Sequence, residues 1–133
     1  MGDTITLEAV PRSVGRARRF CTSTLTDLGA PPDIVSTCVL LVSELATNVV
    51  LHARTPFTVS IELDPQLRVE VRDGDPRMPH PRDYSLDAAS GRGLRLVRTL
   101  SRSSGAERSA EGKMVWFELD WRGTVPWPQE VDW

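Results

Sequence analysis

Residues 40–53, LLVSELATNVVLHA, admit few folds. The run is apolar or small almost throughout and reads as a buried helix. Yet Glu44, Asn48 and His52 interrupt it, each four residues after the last. Four residues advance about 400° round a helix, so the three polar side chains form one slowly drifting line. A core helix with a carboxylate, an amide and an imidazole on one line raises the question of what that line faces. The helix itself is predicted over 32–53. Pro31 and Pro32 open it, where a missing backbone donor costs nothing. Ile34, Val35, Cys38, Leu41, Val42, Leu45 and Val49 form its core stripe, and Pro56 marks its end.

Other elements fall on either side of this helix. Residues 4–10 alternate like a strand. Ser13 is a candidate cap for a helix whose apolar positions are Val14, Ala17, Phe20, Cys21, Leu25 and Leu28, with Gly29 as its stop. Arg16, Arg18 and Arg19 lie on the other face of that helix, as a solvated surface or a docking surface. Two strands, 57–63 and 67–73, are joined by only Asp64, Pro65 and Gln66, which implies an antiparallel hairpin. Residues 74–93 hold three prolines and three glycines without periodicity, and a long loop of this kind is usually functional or disordered. A short helix with Leu94, Leu96, Val97 and Leu100 inward follows, then strands near 103–109 and 112–121. Helices beside a mainly antiparallel mixed sheet make an α+β two-layer sandwich with helices on one face. The domain is expected over 1–121, with a Pro- and Trp-rich tail at 122–133.

The 133 residues suit one domain, and a net charge of −2 leaves no basic footprint for nucleic acid. Fifteen of the sixteen basic residues are Arg, and Lys113 is the one Lys. The N-terminus lacks the apolar run of a signal peptide, and no uncharged run long enough to cross a membrane is present. Cys21 and Cys38 lack metal-ligand spacing and read as reduced core cysteines of a cytoplasmic protein.

Three features could act together: the Glu44/Asn48/His52 line, the acidic turn Asp73-Gly74-Asp75-Pro76, and Gly91-Arg92-Gly93 opening a helix. Glycines let backbone approach phosphate, and a helix N-terminus presents free N–H groups to anions. An amide oxygen such as that of Asn48 is a hard ligand for Mg²⁺. A carboxylate one turn away, Glu44, can deprotonate a nucleophile. Asp73 can accept a hydrogen bond from the exocyclic amine of a base.

The segments ELATNVVLHA, VEVRDGDP, GRGLRLVRTL and GKMVWFEL, in that order, resemble the GHKL superfamily of ATPases and kinases. The small size and the His-Ala pair look most like its stand-alone bacterial anti-sigma serine/threonine kinases. The resemblance covers about 5–121 and implies the Bergerat ATP-binding fold. It also implies roles. Glu44 matches the catalytic base, Asn48 the Mg²⁺ ligand, and Asp73 the aspartate that reads the adenine amine. Gly91, Arg92, Gly93 and Leu94 match the box that cradles phosphate after the ATP lid, here 76–90. His52 is assigned no chemistry.

Two positions depart from the family pattern. Asp75 stands where a glycine is usual and adds a negative charge near a polyanion. Met114 stands near a usual threonine and would cost about 1 kcal/mol for one lost hydrogen bond. Both predict weakened nucleotide affinity. The resemblance implies an ATP- and Mg²⁺-dependent protein serine/threonine kinase that sequesters a sigma factor and phosphorylates an anti-sigma-factor antagonist protein. A homodimer is compatible with it; nucleic acid and membrane are not expected as partners. The alternative is a weak or inactive relative that regulates by holding a partner. A third possibility is an ATP hydrolase without a protein substrate.

Overall fold

The structure, a computed structural model, describes residues 2–77 and 95–123. In chain order the elements are β1 (Gly2–Leu7), α1 (Arg12–Asp27), α2 (Pro32–Asn48), a π-helical turn (Val49–Ala53), β2 (Phe57–Leu63), β3 (Leu67–Asp73), β4 (Ser103–Ser109) and β5 (Gly112–Glu118). The strands form one sheet in the order β1-β2-β3-β5-β4.

Every described pairing is antiparallel, so the expected mixed sheet is corrected at the level of neighbours. The reason is in the connections. Two helices, not one, separate β1 from β2, and the second returns the chain to the end where β1 finished. Tight links then join β2 to β3 and β4 to β5. β4 runs parallel to β3, but β5 lies between them and takes the hydrogen bonds of both.

Alternation sorts the strand residues between two faces. Phe57, Val59 and Ile61 of β2 and Leu67, Val69 and Val71 of β3 are buried on the helix side. Ala17, Cys21 and Leu25 of α1 and Cys38, Leu41, Val42, Leu45 and Ala46 of α2 meet them in one core. The open face is polar and paired with itself. Arg68 bridges Glu70 and Glu118, and its guanidinium lies 4.2 Å over the Trp116 ring. Gly105 is required beneath that ring, because a Cβ there would come within 2.9 Å of it. The fold is thus the expected α+β two-layer sandwich.

Local expectations mostly hold. The 57–63/67–73 hairpin has the predicted limits. Gly29, at φ 84°, follows α1 as its stop, and Pro32 opens α2. Others shift. β1 begins and ends early, because Val10 N–H turns back to Glu8 O before Pro11. Ser13 does not cap α1; the helix starts at Arg12, and Ser13 is buried in its first turn. Arg18, on the arginine face, donates through Nε and Nη2 to Ser43 Oγ of α2 at 3.0 and 2.8 Å. β5 stops at Glu118, where the chain turns so that Leu67 N–H donates to Trp121 O. Residues 95–100 are helical, with Val97 buried, but Leu100 points out at 42% exposure, since the helix end leaves the core. Leu94 and residues 124–133 lie outside the described residues.

Residues 32–53 are long and apolar enough to cross a membrane by composition, yet this helix fills the core between α1 and the sheet. Cys21 and Cys38 join the two helices as reduced thiols, with the Cys21 thiol donating to Cys38 Sγ at 2.9 Å. That hydrogen bond, together with burial, pushes the Cys38 thiol pKa well up.

Candidate functional site

The polar line on α2 ends where the helix changes form. Glu44 is half-buried and makes no hydrogen bond or ion pair among the described residues. Asn48, one turn on, is 8% exposed, and its Oδ1 is buried with no hydrogen-bond partner among the described residues. A buried acceptor left unmade costs on the order of 1–3 kcal/mol, so it marks a place where something polar belongs. The π-helical turn begins directly after it, and single π turns inside helices are frequent at functional sites. Its wider i→i+5 bonding is closed by Arg54 N–H to Val49 O at 2.7 Å, so His52 does not follow the α-helical step that sets Glu44 and Asn48 on one line. Arg54 ends the turn in the left-handed region at φ 57°.

Two hydrogen bonds tie this helix end to the corner after β3. Thr55 Oγ1 accepts from Gly74 N–H at 2.8 Å, and His52 O accepts from Arg77 Nη2 at 3.2 Å. Asp73 closes β3 at that corner. It faces the helix side in a row across the sheet, Leu7–Phe57–Asp73–Lys113–Arg108. Its side chain is 4% exposed and paired with Lys113, 9% exposed. Lys113 Nζ lies 3.1 Å from each carboxylate oxygen and donates also to Asp75 O at 3.2 Å. Asp75 N–H donates to Asp73 Oδ1 at 2.8 Å. Gly112 makes this close approach feasible: its φ is 148°, and a Cβ there would sit 1.9 Å from Asp73 O.

The two departures noted in the sequence read differently in three dimensions. Asp75 does not carry a free negative charge. Its carboxylate accepts from Arg77 Nε and Nη2, the shortest contact being 2.7 Å. These bonds, despite some burial and with help from Lys113, lower its pKa to about 2. Met114 is not beside Asp73. It pairs with Arg72 and Glu107, so alternation puts it on the opposite face of the sheet. The residue beside Asp73 is Lys113, which is not among the candidate site residues in the sequence. The available signal was its uniqueness: a lone lysine among fifteen arginines, next to the glycine of the last motif.

Glu44, Asn48 and Asp73 are therefore placed at one end of the molecule, on α2 and at the β3 corner tied to it. Gly91, Arg92, Gly93 and Leu94, and positions 78–90 of the expected lid, lie outside the described residues. Among the described residues no group of three or more His, Cys, Asp or Glu side chains could hold a metal ion. Mg²⁺ needs no such cage when phosphates and water supply most of its oxygens, and the unpartnered Asn48 Oδ1 suits that arrangement.

A model of the histidine kinase-like ATPase domain matches residues 7–119. No curated protein matches the chain in sequence. Among solved structures, the crystal structure of the RsbU and RsbW domains of Rv1364c from Mycobacterium tuberculosis superposes with a TM-score of 0.70 at 20% identity. The match covers 95% of this chain and 33% of that one, so this chain spans one third of that protein's length. At that identity the likeness concerns the fold.

Proposed function

The chain belongs to the histidine kinase-like ATPase domain family, and from that premise we propose that it is an ATP- and Mg²⁺-dependent serine/threonine protein kinase of the anti-sigma type. On this reading it phosphorylates an anti-sigma-factor antagonist protein and holds a sigma factor. One observation supports the nucleotide site: among the described residues, Asn48 Oδ1 is a buried, unpartnered acceptor one helical turn from the Glu44 carboxylate, which has no ion pair there. Magnesium, when bound with ATP, neutralises phosphate charge. Asn48 offers the amide oxygen that orients it. Glu44 accepts the proton of an incoming serine hydroxyl. Asp73 is the acceptor for the adenine amine, and the Gly91–Leu94 box cradles the phosphates. The RsbW domain in the structural neighbour supports the anti-sigma reading by likeness of fold.

Calorimetric titration with ATP, with and without Mg²⁺, tests the site, and transfer of labelled phosphate to a purified antagonist protein tests the activity. Asn48→Ala is expected to abolish the Mg²⁺-dependent part of binding. Glu44→Gln is expected to spare binding and lower transfer by about 100-fold or more. Unchanged transfer in Glu44→Gln would sink its assignment as the base. A second reading is favoured by the Lys113–Asp73 pair, which occupies the base-reading carboxylate. It makes the chain a partner-holding module, and absence of transfer in the wild-type protein would select it.

A further inference from the structure

We propose that Lys113 is a specificity-determining residue, an internal cation that occupies the Asp73 carboxylate and so relaxes discrimination between a 6-amino and a 6-keto purine. The inference rests on the nucleotide-binding reading above and goes beyond it to the choice of base. Lys113 Nζ donates to Asp73 Oδ1 at 3.1 Å and to Asp75 O at 3.2 Å, and lies 3.1 Å from Asp73 Oδ2 in the ion pair, so hydrogen bonds commit two of its three protons. Both side chains are at least nine-tenths buried, so water screens the pair weakly. Asp73 Oδ1 accepts from Asp75 N–H as well, which leaves Oδ2 as the oxygen with spare acceptor capacity.

The consequence follows from charge. A bare carboxylate favours an exocyclic amine and repels a keto oxygen at the same position. Such a site rejects the analogue lacking the amine steeply, because a buried acceptor is left unmade. Asp73 is not bare. With Lys113 against both oxygens, loss of the amine leaves no unpaired carboxylate, and a keto oxygen approaching the corner meets an ammonium within reach. The pair presents a donor and an acceptor side by side, while Arg108, next in the row, is directed to Pro76 O through Nε at 3.1 Å.

The test compares ATP with inosine triphosphate, which differs at that position of the purine, by calorimetry on the full chain with Mg²⁺. The wild-type protein is expected to prefer ATP by less than about tenfold, below the value of one hydrogen bond to a charged acceptor. Lys113→Met should raise that ratio by about tenfold or more, and Lys113→Arg, which keeps the cation, should leave it near the wild-type value. A wild-type preference above tenfold overturns the proposal without any variant, so a poorly folding Lys113→Met does not protect it. An unchanged ratio in a folded Lys113→Met overturns it too. In both of these cases ATP still binds, and the kinase reading survives. Failure of both nucleotides to bind the wild-type protein and Lys113→Met would overturn the proposal and the nucleotide-binding reading together.

Discussion

Asn48 carries the proposed ligand site at the scale of a single side chain. Its buried Oδ1 finds no partner among the described residues, and Asn is a poorer helix former than Ala. Asn48→Ala should therefore stabilise the ligand-free protein by about 1 kcal/mol while removing Mg²⁺-dependent ATP binding. Urea unfolding in the absence of nucleotide checks the first half; a loss of stability would mean that the amide has a structural role instead. Asp75 behaves as a charged group already spoken for. Its pKa of about 2 lies below the value of an unfolded aspartate, so its ionised form stabilises the fold above about pH 4. That contribution disappears as the pH falls from about 4 toward 2. Asp75→Asn should flatten the decline of stability in this window. The effect is small because Arg77 is largely exposed, and paired urea curves at pH 5 and pH 2.5 measure it.

At the scale of elements, α2 has two jobs along one length. Its middle is core, with Leu41, Val42, Leu45 and Ala46 buried against α1 and the sheet. Its end, from Asn48 through the π turn, holds the nucleotide on the proposed reading. The jobs are separable by mutation. Leu45 is 3% exposed, and Leu45→Ala should cost about 2–5 kcal/mol in urea unfolding with an unchanged denaturant slope. Below its unfolding range the variant should keep its ATP affinity, since the site is held by Thr55, Arg77 and the Asp73 corner. A large drop in affinity without unfolding would show that core packing sets the position of Asn48. The sheet divides its work in the same way. Burial pushes the Glu70 pKa up, but Arg68 and Arg72 more than offset it, so the open face is closed by its own charges.

For the whole molecule, a ligand bound at the proposed site couples to global stability. A nucleotide that binds only the folded state stabilises it by about 2.7 kcal/mol at roughly 100 times its Kd. Thermal denaturation with Mg²⁺ and ATP should show that gain, and Asn48→Ala should lose most of it. Much of the fold was legible in the chain. The hairpin limits, the start of α2 and the alternation of burial along the strands follow from period and punctuation, which are local properties, whereas the change from α2 to a π turn at Val49 does not. Glu44, Asn48 and Asp73 stand out as candidates in the sequence, because a polar residue breaking an apolar pattern is visible within its own segment. The end of β1, the start of α1 and the environments of Asp75 and Met114 were not legible. Each depends on a partner distant in sequence or on a capping alternative that only the folded chain ranks. Sequence by itself determined the two-layer architecture and the polar line on α2, since periodicity dictates which faces must be buried. Only the tertiary structure decided that Lys113, forty residues from Asp73, shares its carboxylate, because cross-strand register brings the two together and puts Met114 on the other face.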